Sequence, residues 1–132
     1  MSAEVGNALQ KAIYDRLSNH NDLAAGVYDS VPENTNYPYV TIGDDTLIDW
    51  DTKTWKGCEV TVTIHVWTEN RGRKDNKAIQ KTINQILDNY ALDVEGFNVV
   101  HFRQEFSNTT LDPDGMTYHG VMRFRALLQE VA

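Results

Sequence analysis

The sequence predicts an α+β fold in which a four-stranded, mostly antiparallel sheet carries two helices on one face. Two segments, one near the N-terminus and one after residue 76, repeat apolar residues at helical spacing. Four other segments are rich in residues favoured in strands, and two of them alternate apolar and polar residues strictly. The predicted order of elements is α-ββ-α-ββ, which is two hairpins, each preceded by a helix. A length of 132 residues suits one domain, spanning 1–132.

Each predicted helix has a single apolar stripe. In the first helix, four apolar residues recur every four positions: Val5, Leu9, Ile13 and Leu17. In the second helix, five residues share one face: Ile79, Ile83, Ile86, Leu87 and Tyr90. We expect the first helix to end near Ser18, where turn-forming residues begin, and Asp75 to be the N-cap of the second helix.

The first hairpin is predicted to form a long arm. Its first strand covers residues 39–48 and follows a short extended piece at 27–29. Its second strand has the clearest pattern in the chain, because five residues of one parity are apolar: Cys58, Val60, Val62, Ile64 and Val66. Residues 49–57 between the two strands form a polar tip that contains Trp50 and Trp55.

The second hairpin is predicted from a strand over residues 97–106 and a final alternating strand over residues 116–128. Val100, Phe102 and Phe106 share one parity, so we expect them on one face of the sheet. Met116 begins the apolar parity of the final strand. An Asp-Pro-Asp-Gly turn precedes that strand, because proline presets its φ angle and glycine tolerates a positive one.

The composition excludes several classes of function. Twelve Lys and Arg against 19 Asp and Glu give a net charge of −7, which disfavours a general nucleic-acid binder and a partner for anionic membranes. The single cysteine, Cys58, excludes an internal disulfide. No apolar run approaches the roughly 20 residues that span a bilayer, and residues 1–6 do not resemble a signal peptide. We therefore expect a soluble protein of the cytosol.

No catalytic constellation is recognisable in the sequence. It contains neither the glycine-rich phosphate-binding motifs nor a G-x-S-x-G or HExxH motif. Three histidines fall on predicted strands, so a metal-dependent or ligand-binding module that uses His65, His101 and His119 is one alternative. Cys58 as a nucleophile, the aspartates of residues 44–51 as a calcium site, and a small regulatory domain are weaker alternatives. We expect no enzyme activity and no cofactor.

Features typical of an interaction protein concentrate on the first hairpin. Tryptophan in a polar loop exposes a large apolar area, and it is enriched where proteins meet, although both rings can instead fold back onto the sheet. An acidic stretch at 44–51 and basic segments at 53–56 and 71–74 separate the charges, and a head-to-tail contact between opposite charges can close a ring. The residues expected at such an interface are Asp44, Asp49, Trp50, Asp51, Lys53, Trp55, Lys56, Arg71, Arg73 and Lys74.

Seven short segments carry a resemblance to a known family. They are VYDSVP at 27–32, YPYVTIG at 37–43, DWDTKT at 49–54, VTIHVW at 62–67, DPDG at 112–115, YHG at 118–120 and RFRA at 123–126. Together they resemble small tail-completion proteins of tailed bacteriophages, prophages and gene transfer agents. The resemblance spans most of the chain and implies a structural protein without catalytic residues, similar in role to the tail terminators of siphophages.

For such a protein the resemblance implies a ring, typically a hexamer, that caps the finished tail tube, terminates tail polymerisation and offers the head-tail joining surface. Its partners would be further copies of itself, the tail tube protein and a head-side neck or connector protein, with no membrane. DNA would pass through the ring without specific binding. The protein would be found in the host bacterial cytoplasm during assembly and then in the virion tail or neck. Another neck role, such as a head-closure or connector component, is the nearest alternative.

Overall fold

The chain forms a five-stranded mixed sheet with both helices on one of its faces. The computed structural model describes residues 3–51, 54–69 and 72–131. In chain order the elements are α1 (Ala3–Ser18), β1 (Gly26–Tyr28), β2 (Tyr39–Asp49), β3 (Gly57–Glu69), α2 (Gly72–Leu87), β4 (Phe97–Leu111) and β5 (Thr117–Glu130). The strands lie in the order β1-β2-β3-β5-β4. Adjacent strands are antiparallel except β1 and β2, which are parallel.

The prediction of four strands is wrong by one, because residues 26–28 form a further strand at the edge of the sheet. Val27 pairs with Val40 in the parallel ladder, and Val27 is 9% exposed. Three residues are too few to display the alternation from which the longer strands are predicted. The α+β class, the two helices and the two antiparallel hairpins are as predicted.

The core lies between the sheet and the helices, and it is built from the periodic patterns of the sequence. The four stripe residues of α1 are at most 1% exposed. Alternate residues of β3 from Cys58 to Val66 are buried, as are their partners on β5 from Met122 to Leu128. Each large apolar side chain buried in this way contributes roughly 1.5–3 kcal/mol. The two alternating strands therefore hold the centre of the fold.

The second helix begins and ends earlier than predicted. Its first residue is Gly72, which has a φ of 67°, so Asp75 lies in the first turn rather than at the N-cap. A carboxylate in the first turn still interacts favourably with the helix dipole. The helix ends at Leu87, and Tyr90 lies beyond it with its ring 3.8 Å from the guanidinium carbon of Arg16.

Two buried amides on α2, those of Asn76 and Gln80, connect this helix to the sheet. Asn76 donates a hydrogen bond to the carbonyl oxygen of Tyr118 at 3.1 Å. Gln80 donates to the Asn76 Oδ1 at 2.8 Å and to the Thr109 Oγ1 at 2.8 Å. Gly120 lies directly beneath both amides, where a Cβ would overlap them. Because buried amides need all their partners, this cluster defines one position of the helix on the sheet.

Three apolar residues predicted to face the core are exposed instead. Two β-bulges leave Val100 and Glu105 without a partner on β5, and each extra residue reverses the parity of the strand. Phe102 is consequently buried, whereas Val100 is 54% and Phe106 is 40% exposed. Met116 is 50% exposed, because it lies in the turn before β5 rather than in the strand.

Substituting Gly120 with alanine should destabilise the fold, because the new methyl group must displace the Asn76 and Gln80 side chains from their partners. We expect a loss of about 1–3 kcal/mol, the usual range for leaving buried polar groups unsatisfied. Urea denaturation of the purified variant measures this loss. The matched control is Gly43→Ala, since a Cβ at residue 43 has no neighbour within 4 Å. Equal free energies of unfolding for the two variants would show that the absence of a side chain at Gly120 does not contribute to stability.

Candidate functional site

The end of the β2–β3 hairpin is held closed by contacts around Gly57. The Trp50 amide donates to the carbonyl oxygen of Gly57 at 2.8 Å, and the Gly57 amide donates to the Asp51 Oδ1 at 3.0 Å. A Cβ at residue 57 would lie 2.8 Å from the carbonyl oxygens of both Trp50 and Leu128 and 2.5 Å from the ring of Trp55. Glycine is therefore required at this position, and Asp51 stabilises the turn in addition to any role at an interface.

The structure brings Trp50 and Trp55 together at the end of this hairpin. Their rings meet edge to face, with centroids 5.0 Å apart and an interplanar angle of 74°. Both side chains are half-buried, and neither belongs to the main core. The pair thus forms a half-buried aromatic cluster at the hairpin end. That these residues anchor a partner chain stays a prediction.

The second half of β2 forms an exposed acidic edge, which we define as residues 44–49. β1 pairs only with residues 39–41, so no strand from the described part of the chain lies on the outer side of the acidic edge. Residues 44–49 are all exposed, including Leu47 at 38% and Ile48 at 59%. The edge starts at a bulge where Asp44 has a φ of 47° and its carboxylate lies 3.5 Å from the Nε2 of His65. Asp49 is the last residue of β2.

The basic residues predicted at the interface do not form one group. Lys56 lies beside the hairpin end, where its carbonyl oxygen accepts a hydrogen bond from the Glu130 amide at 2.9 Å. Arg73 and Lys74 are exposed in the first turn of α2, at the opposite end of β3. A strand of this length separates the two groups by about 40 Å. Lys53 and Arg71 lie outside the described residues.

A basic groove between α2 and β4 was not predicted from the sequence. Arg73, Lys77 and Lys81 are exposed at intervals of four residues along α2 and form one wall of this groove. Its other wall comes from β4 and includes Gln104 and Ser107. The interval of four between the three basic residues is the sequence signal that identifies this wall.

The sheet face opposite the helices carries a row of stacked rings. The rings of Trp67 and His119 are parallel within 7°, with centroids 3.8 Å apart. The Nδ1 of His65 lies 2.7 Å from the Nε2 of His119, which is a hydrogen bond between the two imidazoles. The pKa of His119 lies below its ordinary value, mainly because burial disfavours the charged ring and also because His65 is close. At least one of these rings must be neutral for the hydrogen bond to exist.

Four charged residues elsewhere on this outer face form a network of ion pairs. The carboxylate of Glu105 accepts hydrogen bonds from Arg123 at 2.9 Å and from Arg125 at 2.8 Å. Arg125 also binds Glu59 on the neighbouring strand. The charges of these two arginines are thus balanced within the chain.

The three-histidine metal site is not supported by the structure. His101 pairs with Leu127 on β5, eight residues away from His119, which corresponds to about 26 Å along the strand. Among the described residues, no three His, Cys, Asp or Glu side chains are grouped as metal ligands would be, and this applies equally to the aspartates of the acidic edge. Burial raises the pKa of the Cys58 thiol, which disfavours the nucleophilic thiolate.

Neither helix in the described part of the chain is both long and apolar enough to span a bilayer.

Both the sequence and the fold of the chain are similar to those of known proteins. The family model described as "Tail completion protein gp17" matches residues 11–129. Tail completion protein gp17 of Bacillus phage SPP1 is 31% identical over 121 residues, covering 89% of this chain and 90% of the relative. A chain from the virion of a native gene transfer agent particle has a TM-score of 0.89 at 26% identity, covering 97% of this chain and 99% of that one. The structure of bacteriophage SPP1 gp17 has a TM-score of 0.60 at 26% identity, covering 96% and 90%.

The fold and these likenesses define a structural component of tailed phages and related particles. The chain belongs to the gp17 family of tail completion proteins, since the family model matches most of its length. The resemblance expected from the seven short segments is thereby confirmed.

The stability of the chain should depend on the protonation of His119. Because its pKa is lowered in the folded state, the unfolded state binds the proton more readily, so stability is lost as the pH falls below the ordinary histidine value. We expect the free energy of unfolding to decrease between about pH 7.5 and about pH 5.5. Urea denaturation at a series of pH values measures it.

The matched variants are His119→Gln and His101→Gln, because His101 is an exposed histidine on β4. The decrease should be smaller in His119→Gln than in His101→Gln. Identical pH profiles in the two variants would contradict this prediction.

Proposed function

We propose that the chain assembles into a ring, most simply a hexamer, that caps the finished tail tube. By covering the last tube ring and presenting a different upper face, it ends polymerisation and provides the surface at which the head joins the tail. The role is structural rather than catalytic. Its partners are further copies of itself, the tail tube protein and a head-side neck or connector protein.

The similarity in fold to one chain of a gene transfer agent virion, which extends over 97% of this chain, carries this proposal. Membership of the tail completion family supports it independently. Two features of the structure are compatible with assembly: a half-buried tryptophan pair at the hairpin end, and the acidic edge, which no strand of the described part of the chain covers. Proteins usually cover or pair such edges, because unpaired strands invite association.

The acidity of the chain suits a ring through which DNA passes. Six copies, each with a net charge of −7, would carry −42 in total. A wall with this sign of charge repels phosphates rather than binding them, so DNA is not retained during its passage. We place the chain in the host bacterial cytoplasm during assembly and afterwards in the tail or neck of the particle.

Replacing Trp50 or Trp55 with alanine should weaken assembly and leave the protomer folded, because both rings lie outside the main core. We expect a loss of at least about tenfold in self-association or in incorporation into particles, in the range of interface hot spots. Light scattering and quantitative analysis of purified particles measure these effects.

Tyr14→Ala is the matched control, since Tyr14 is an aromatic residue that is 40% exposed on α1. Circular dichroism reports the fold of every variant. If both tryptophan variants unfold the protomer, the rings are structural and the anchor interpretation is wrong.

Removing the chain from particle-producing cells tests the terminator role directly. We expect electron micrographs to show tail tubes of uncontrolled length or tails without heads. Supplying the chain from a plasmid should restore joined particles of uniform tail length. Tails of normal length together with heads that have lost their DNA would instead favour the head-closure or connector role.

A further inference from the structure

A ring made from one chain needs two different surfaces that fit each other, and the open edges of the sheet supply candidates. The proposal below rests on the proposed ring. β2 and β4 lie on opposite sides of the central strands, so contacts through these edges are head to tail. Such a contact repeats from protomer to protomer and closes if the rotation permits.

Only part of β4 is available to a neighbour. The segment after α2 already covers the middle of this edge, where the Asn89 amide donates to the carbonyl oxygen of Phe102 at 2.8 Å and the Gln104 amide donates to the Asp88 Oδ1 at 2.8 Å. Residues 106–111 follow this covered part, and in the described part of the chain they pair with β5 alone. Most of them are exposed, and they border the basic groove.

The strand directions permit these two edges to pair. β2 is antiparallel to β3, β3 to β5 and β5 to β4, so β2 and β4 run in opposite directions within one protomer. Protomers repeated around an axis close to the strand direction would therefore place β2 antiparallel to the β4 of the next protomer. To place residues 44–49 beside residues 106–111 of the next protomer, neighbouring protomers must be displaced along the strands by about six residues. This displacement corresponds to strands tilted by about 45° from the ring axis.

Pairing in this manner aligns the charged side chains. Asp45 and Asp49 lie opposite Val62 and Cys58, whose side chains are buried beneath the helices, so both aspartates are on the helix side of the sheet. In a sheet continued across the interface this side faces the basic groove of the neighbour. Opposite charges across an interface favour association and define the register.

We infer that the acidic edge of one protomer seats beside residues 106–111 of the next, with Asp45 and Asp49 facing the Arg73, Lys77 and Lys81 wall of the basic groove. The occupant of the groove is a second copy of this chain, because the acidic edge has the complementary charge and an open strand edge to pair. On the outer face, the exposed side chains of Ile48 and Phe106 approach each other across the same junction.

Cross-linking through introduced cysteines tests this junction. Within one protomer, residues 48 and 108 are three strand spacings, or about 14 Å, apart across the sheet and seven residues apart along it, so a short bis-maleimide cannot connect them. Cys58 is buried and is left in place. The chain carrying Ile48→Cys and Asn108→Cys replaces the natural chain in particle-producing cells, and purified particles are treated with the reagent.

We expect a ladder of covalent multimers from the double variant and none from either single variant. Dimers from a single variant would indicate a two-fold interface, and cross-links to the tube protein would indicate a different occupant. Either result overturns the inference. So does the absence of multimers from particles whose tails end normally, although that outcome leaves the ring proposal intact.

Reversing charge in the groove provides a test that does not depend on the cysteine variants. Lys77→Glu should lower incorporation into particles at least about tenfold, and adding Asp45→Lys to the same chain should restore most of it. Lys11→Glu is the matched control, since Lys11 is an exposed helix lysine on α1. Equal incorporation of the Lys77 and Lys11 variants, both folded by circular dichroism, would overturn the inference.

Discussion

Burial of one face of β3 is the constraint on which the rest of the structure depends. β3 is the middle strand of the sheet, and its helix-facing residues from Cys58 to Val66 form the centre of the core. With that face covered by both helices, the polar and aromatic residues of the opposite parity must lie on the open side. The strand order places β2 and β4 on opposite sides of β3, and the acidic edge and the basic groove lie on these two sides.

The sequence predicted those parts of the fold in which one period repeats without interruption. β3, β5 and α1 are regular over many residues, and their buried faces are as predicted. β4 contains two bulges, and a bulge has no signature in an apolar pattern, so Val100 and Phe106 were assigned to the wrong face. The surface features likewise divide into those that local sequence predicts and those that depend on contacts between strands. The position of Trp50 and Trp55 at the hairpin end follows from local sequence, whereas the contact between His65 and His119 depends on a cross-strand register that a single strand does not define.

The surfaces explain how a chain with no recognised catalytic constellation can have a specific role. Its charged outer-face residues are largely paired within the chain, and its buried amides have their partners inside the protomer. Exposed groups also lie at the hairpin end, along the acidic edge and on the basic helix wall. Family membership then gives these surfaces a context, because the chain belongs to a family of tail completion proteins.

The Asp88–Asn89 segment limits how any added strand can approach β4. The segment occupies the outward hydrogen-bonding groups of Phe102 and Gln104, so an added strand cannot pair with β4 at these two residues. A flat edge of 15 residues would admit many registers and thus disordered polymers. By interrupting the edge at Phe102 and Gln104, two residues on a helix–strand connection reduce the number of registers open to an added strand.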